Sequence, residues 1–399
     1  MSTRRRPTRR RRRRRSRFVR NLVILLALLV LGVVFVIGAC GDTDPYDDSE
    51  QLPEIQTPEE TPEPTPEPEE TPEPEETPEP EPEPTLESDG IYENPLTGLP
   101  TDEDISMNRP IAVMMSNIQV ALPMNGITQA DIVYEIPVEG GITRMMAFFQ
   151  DYSDLQTIGS IRSVRHTNVD IAGVHDAMII TSGGSPLAHS LINSRGATNL
   201  EEGGRFNSIF YRNRNRISGR TVAGEHSVTT NGNLLSTHIP NFDIRTTHDD
   251  DFIQPFTFTD NATPVGGSTA NEVIARFGGK SSTFTFNSDR NVYYMSQFGN
   301  PFVDANNSEQ VSFSNLIFIH TSVTALQGPH GGSGRRDIEV TGTGQGFFAH
   351  GGQFVPITWS RADAYSPFVY TLSDGTELEL GRGKTYIAIV PLTETIDFN

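Results

Sequence analysis

Residues 41–90 contain twenty Asp or Glu, thirteen Pro and no Lys or Arg. A stretch of that composition buries too little apolar surface to offset the entropy of ordering it, so whatever follows must fold by itself. The hexamer TPEPEE occupies Thr65–Glu70 and Thr71–Glu76 and continues as TPEPEP over Thr77–Pro82. Like-charge repulsion and the fixed φ of proline favour a polyproline-like spacer of ~3 Å per residue, at most on the order of 150 Å long. Residues 41–92 therefore read as a disordered stalk, with a proline-motif ligand for another domain as the alternative role.

The opposite charge precedes it. The first twenty residues hold twelve arginines and no acid, and Leu22–Ala39 follows as eighteen apolar residues without a charge. Such a run is at the lower edge of what crosses a hydrocarbon core as a helix. An arginine block beside an apolar run stays on the cytoplasmic side, so residues beyond 40 are expected outside the cell membrane. Phospholipid headgroups are the anions nearest those arginines, which makes the membrane the expected N-terminal partner and not nucleic acid. The sole cysteine, Cys40, ends Val36-Ile37-Gly38-Ala39-Cys40-Gly41. This resembles a bacterial lipobox, in which the cysteine is lipidated, and Cys40 is the candidate lipidation site. The alternative is an uncleaved signal-anchor helix with the same topology, and on either reading residues 1–40 are a basic tail plus membrane anchor. With one cysteine there is no intrachain disulfide, so a core must hold the ectodomain together.

About 310 residues remain, enough for two domains. In residues 93–258 the pattern is mixed. Ile111–Ser116 is an apolar run of buried-strand type, and Asp131–Ile136 and Ile142–Phe149 read as strands joined across Glu139-Gly140-Gly141. Val164, Thr167, Ile171, Val174 and Met178 recur at helical spacing, which predicts a helix from near Ser160 or Arg162. Ala177–Thr181 reads as the next strand. Ser182-Gly183-Gly184-Ser185-Pro186 then supplies a turn, with Ser185 as N-cap and Pro186 opening a helix to about Asn193. Another helix is read over Ser227–Ser236. Strand, turn and helix in succession predict an α/β layered domain. In residues 259–399 the helical period is lost except at Ala270–Phe277. Ser281–Phe286 alternates, Leu316–His320 is apolar, Phe347–Trp359 turns at His350-Gly351-Gly352, Leu372–Leu380 turns at Asp374-Gly375, and Thr385–Pro391 reads as a last strand. This part is expected to be mostly β, giving an α+β fold overall. Ala325–Asp337 is too rich in glycine to be an element and reads as a mobile loop.

Asn94-Pro95-Leu96-Thr97-Gly98, Arg109–Met114, Gln129–Glu135, Glu139–Arg144, Ile158–Arg165 and Gly183-Gly184-Ser185-Pro186, in that order, resemble the YerB-like bacterial lipoproteins. The resemblance runs from about residue 94 to the C-terminus and covers both parts of that family. It implies a lipoprotein at the cell envelope and no assigned chemistry. Arg165-His166-Thr167 departs from the more apolar continuation expected at that point.

Between Arg144 and Arg220 there are nine arginines against six acids, whereas the rest of residues 91–399 has ten bases against 25 acids. A positive island in an acidic protein focuses an anionic ligand, and guanidinium forks match phosphate and carboxylate geometry. Candidate anion-binding residues are Arg144, Arg162, Arg165, Arg212, Arg214 and Arg216, with the last three projecting from one face if that segment is extended. Only Lys280 and Lys384 are lysines, so a general preference for arginine is the competing explanation. Gly183, Gly184 and Ser185 are added because backbone N–H groups at a helix start hold anions. The segment lacks a Gly-x-Ser-x-Gly elbow, which argues against a serine hydrolase. His226 beside Glu225 is a candidate acid/base or cap. His248-Asp249-Asp250-Asp251 is rich in oxygen but lacks a metal-site spacing, so no metal is assigned. Without a Walker loop, dinucleotide fingerprint or paired-cysteine motif, no cofactor is expected.

The expectation is thus a membrane-tethered, non-catalytic envelope protein binding a partner protein or an anionic wall polymer. The alternative is an enzyme on a phosphate-bearing envelope substrate. Its layout is similar to that of LytR-CpsA-Psr phosphotransferases, with Asp131, Glu135, Glu139 and Asp176 as candidate carboxylates.

Overall fold

The computed structural model describes residues 92–332 and 334–399. The arginine tail, Leu22–Ala39, Cys40 and the Pro/Glu stretch lie outside the described residues. Among the described residues no helix is long and apolar enough to cross a membrane.

Five strands come from the first part of the chain: β1 (Ile111–Asn117), β2 (Ile132–Pro137), β3 (Thr143–Phe149), β4 (Met178–Thr181) and β5 (Asn199–Glu201). From the second part come β6 (Asn315–Thr321), β7 (Gly342–His350), β8 (Gln353–Arg361) and β9 (Thr385–Pro391). All nine join one 11-stranded sheet in the order β8-β7-β6-β9-β2-β3-β1-β4-β5, completed by Ser268–Thr269 beyond β8 and Val369–Thr371 beside it. The seam is the parallel pairing of β9 with β2, Thr385 opposite Ile132 through Ala388 opposite Glu135. The division drawn at residues 258/259 from composition therefore crosses a continuous sheet.

Strand alternation sorts the apolar residues of this sheet onto two covered faces. Val113, Met115, Val133, Met145, Ala147 and Phe149 lie on one face with Val273, Phe284, Tyr293 and Phe313 of a smaller six-stranded sheet. Ala112, Met114, Tyr134, Met146 and Phe148 lie on the other with the helices α1 (His166–Val174) and α2 (Pro186–Arg195). The result is a mixed α+β fold whose C-terminal region is mostly β.

Three expectations need correction. The helix read from Ser160 or Arg162 begins at His166, because Val164 bridges to Gly184 and Met178 already belongs to β4. The segment Ser227–Ser236 splits into strand Val228–Thr230 and helix α3 (Gly232–His238), with Asn231 as cap through a 2.9 Å bond from the Leu234 N–H. Ala270–Phe277 is not helical. Its Glu272–Arg276 is a strand in which Val273 and Ala275 are buried and their neighbours are not, a period of two.

Candidate functional site

The parallel strands β1, β4 and β5 present their carboxyl ends on one side of the sheet, where ligands of open α/β sheets bind. Arg144 starts β3 on that side, opposite Ser116 at the end of β1. The chain recrosses there as Ile161–Arg165. The Arg162 N–H donates to the Met114 carbonyl at 2.8 Å, and the Val164 N–H to the Gly183 carbonyl at 3.0 Å. Helix α1 starts immediately afterwards. Helix α2 starts beside it, capped by Ser185 Oγ, which accepts from the Ala188 N–H at 3.2 Å, with Pro186 at the first position. Gly183 needs φ +79°, and a Cβ on Gly184 would lie 2.6 Å from His189 Nε2, so this crossing admits no side chain. Arg144, Arg162, Arg165, Gly183, Gly184 and Ser185 are thereby gathered at one end of the sheet.

The charges there do not balance. Arg165 grips both carboxylate oxygens of Glu139, Nε to Oε2 at 3.0 Å. Burial works to raise that carboxyl, but the Arg165 hydrogen bonds outweigh it and hold Glu139 at about 2. Arg144 is 6 % exposed and donates to the Ser163 carbonyl, without a carboxylate bonded to it. Burial and then the Arg165 charge push its guanidinium down to about 9; Glu139 opposes this and Arg162 adds to it. It remains a cation at neutral pH. Arg162 is held by the Glu225 carbonyl at 2.5 Å. Three guanidiniums thus share two carboxylates among the described residues, Glu139, which Arg165 already engages, and Glu225 near Arg162.

Arg212 stays at the rim, paired with Glu202 at 2.7 Å and with the Gly224 carbonyl at 3.0 Å. The other two arginines of the Tyr211–Arg216 segment do not share its face. The strand ends at Arg212, because the Asn213 side chain accepts the Asn215 N–H at 2.9 Å and turns the chain. Arg214 bonds the Val222 carbonyl at 3.1 Å. Arg216 turns inward to 5 % exposure and donates to the His226 and Pro123 carbonyls at 2.7 and 2.9 Å, to Asn125 Oδ1 at 3.0 Å and to the Ala121 carbonyl. It is a structural clamp.

The four candidate carboxylates are scattered and committed. Asp131 accepts the Gln150 N–H at 2.7 Å and the Asn94 amide at 3.1 Å, and burial pushes it up to about 6. Glu135 is enclosed by Lys280, Thr143, Asn117, Ser282 and Tyr386. Glu139 belongs to Arg165. Asp176 is bound by Arg245 at 2.6 and 2.7 Å, by His248 Nδ1 at 3.0 Å and by Arg109 at 3.2 Å. That contact, and a stack on Phe252 at 3.8 Å, also occupies His248 of the acidic run. His226 is buried, with Nε2 4.0 Å from Glu225, and serves Arg216 through its carbonyl. Among the described residues no group of three or more His, Cys, Asp or Glu is placed to hold a metal ion.

Sequence reasoning missed Arg335 and Arg336, which reach the Arg165–Glu139 pair from the glycine-rich loop of the second part. Adjacent arginines in an otherwise acidic half were the available signal.

A mixed α+β module that gathers Arg144, Arg162 and Arg165 at one end of the sheet, away from Asp131, Glu135 and Asp176, is the class that fold and site define. The chain belongs to the DUF3048 family, a family of unknown function: the model of its N-terminal domain matches residues 96–244 and that of its C-terminal domain residues 273–387. It is 28 % identical over 301 residues, 74 % of this chain and 86 % of the relative, to the Bacillus subtilis (strain 168) protein named "Putative lipoprotein YerB". The crystal structure of Bacillus subtilis YerB matches with a TM-score of 0.65 at 25 % identity, over 76 % of this chain and 99 % of that one.

Proposed function

We propose that this protein is anchored to the membrane by its N-terminus and acts as a non-catalytic module of the cell envelope, holding an anionic wall polymer on its basic end. Similarity to a protein named as a lipoprotein and the residues around Cys40 support the anchoring. The observation that carries the binding is Arg144, a nearly buried guanidinium with no carboxylate of its own, beside Arg162 and Arg165. A buried charge left uncompensated is costly, and an arriving anion relieves the cost. Commitment of Asp131, Glu135, Glu139 and Asp176 to internal partners weighs against phosphoryl transfer. An anionic protein partner satisfies the same charges, and capture distinguishes the two. Crosslinking the full-length chain in cells, followed by mass spectrometry of wall fragments and proteins, should recover phosphate-bearing wall material with the wild type and little with Arg144→Gln/Arg162→Gln. Recovery of the same material with both would remove the basic end from the account.

A further inference from the structure

The first turn of α1 lines a small cleft with Glu139, Arg165, Arg335 and Arg336. Thr167, 1 % exposed, leaves Oγ1 without a hydrogen bond, and His166, 9 % exposed, leaves Nε2 without one as well. The N–H groups of His166 and Thr167 find no acceptor among the described residues either. Buried polar groups are ordinarily paired, so an orphaned Thr167 hydroxyl beside two unmet N–H groups at one helix start calls for a ligand. Across the cleft the loop runs close to Glu139, with Gly334 placing a notional Cβ 3.9 Å from the Glu139 Cβ. Arg335 is held in place by the His330 and Gly331 carbonyls at 3.2 and 3.3 Å, and neither it nor Arg336 has a carboxylate partner among the described residues. Asp337 faces His166 Nε2 at 3.7 Å and is mostly exposed, while the Glu139 charge is cancelled by Arg165. The hollow itself is about 10 Å³, room for one water-sized atom.

We propose that this cleft, built by both parts of the chain, binds a phosphate group. One phosphate oxygen fills the hollow and takes the His166 and Thr167 N–H groups and the Thr167 hydroxyl, and the others meet the guanidiniums of Arg335 and Arg336 at the mouth. Arginine forks and a helix N-terminus together suit a tetrahedral anion. The inference deepens the proposed function and rests on it, because it names the group on the polymer that the basic end recognises.

The test is calorimetric titration of the full-length chain in detergent with inorganic phosphate. A hydrogen bond to a charged group is stronger than one between neutral groups, so Thr167→Val, which keeps the shape, should weaken binding roughly tenfold or more. Arg335→Gln/Arg336→Gln, half-exposed where strand Arg336–Ile338 pairs with Val323–Ala325, should weaken it further with melting unchanged. Repeating the titration with glycerol-phosphate polymer and with phosphatidylglycerol vesicles tells which source presents the phosphate. Equal affinity in wild type and the loop double variant would overturn the cleft, even if Thr167→Val failed to fold. If Arg144→Gln/Arg162→Gln still abolished polymer capture in that case, the broader reading would stand; unchanged capture as well would remove both.

Discussion

Glu135 and Arg144 lie in neighbouring strands and are both charges taken out of water, yet their surroundings are opposite. Glu135 accepts from Asn117 at 3.0 Å, from Ser282 at 2.8 Å and from Tyr386 at 2.6 Å, and from Thr143 and Lys280 as well. Burial raises its carboxyl, and the Lys280 charge with these bonds more than reverses that, leaving it below the usual carboxylate range. Arg144 has one carbonyl, two like charges and, among the described residues, no bonded carboxylate, the nearby Glu139 being engaged by Arg165. A saturated buried charge holds the fold, here pinning the small sheet to the main one. An unsaturated one, on the proposed function, is where an anion from outside settles.

The comparison breaks most visibly at Lys280. Lys280→Met leaves Glu135 buried without its cation, and denaturant unfolding should show a loss of about 3–5 kcal/mol. A loss under about 1 kcal/mol would mean that the pair is not saturated as described. Next comes Arg216, where Arg216→Gln strips the Ala121, Pro123 and His226 carbonyls of their donor. Unfolding should report a loss of about 2–3 kcal/mol, whereas Arg212→Gln at the rim should stay within about 0.5 kcal/mol.

Asp176 sharpens the comparison through pH. Burial raises its carboxyl, but hydrogen bonds from His248 and Arg245 and the Arg109 charge hold it at about 2, below the ordinary 3.8. A folded value below the unfolded one favours the ionised form on folding. Its contribution, about 2 kcal/mol, is therefore complete above roughly pH 4 and lost as the pH falls toward 2. Melting followed across that window should show the loss in wild type and a flatter dependence in Asp176→Asn. The smallest effect on stability is expected at Arg144. Arg144→Met removes an uncompensated cation and should melt like wild type or slightly above it.

What the sequence made legible was local. Ser185-Pro186 announced the cap and start of α2, and His350-Gly351-Gly352 announced the β7–β8 turn, because each is settled by neighbours in the chain. The alternation in Ser281–Phe286 and the apolar run Leu316–His320 likewise reappear as strands. Long-range pairing left no such trace. Lys280 meets Glu135 across 145 residues, and β9 enters the sheet beside β2 across more than 250, so the shared sheet was not to be read from composition. The arginines of the basic end were visible as an excess of charge. Which of them share a surface depended on one Asx turn at Asn213, whose competition with an extended strand a period-two pattern does not reveal. Arg335 and Arg336 were hidden by the glycines around them, which read as a loop over Ala325–Asp337, although Val323–Ala325 and Arg336–Ile338 pair as strands at its base.

The central claim is that the basic end binds phosphate-bearing polymer through its unmatched guanidiniums, and salt dependence tests it most directly. Each phosphate that an arginine neutralises adds about one to the slope of log affinity against log salt. Retention of the full-length chain on glycerol-phosphate polymer, measured over a salt series, should therefore give a steep slope for wild type and one shallower by about two for Arg144→Gln/Arg162→Gln, with unchanged melting. Identical slopes for the two proteins would contradict the claim.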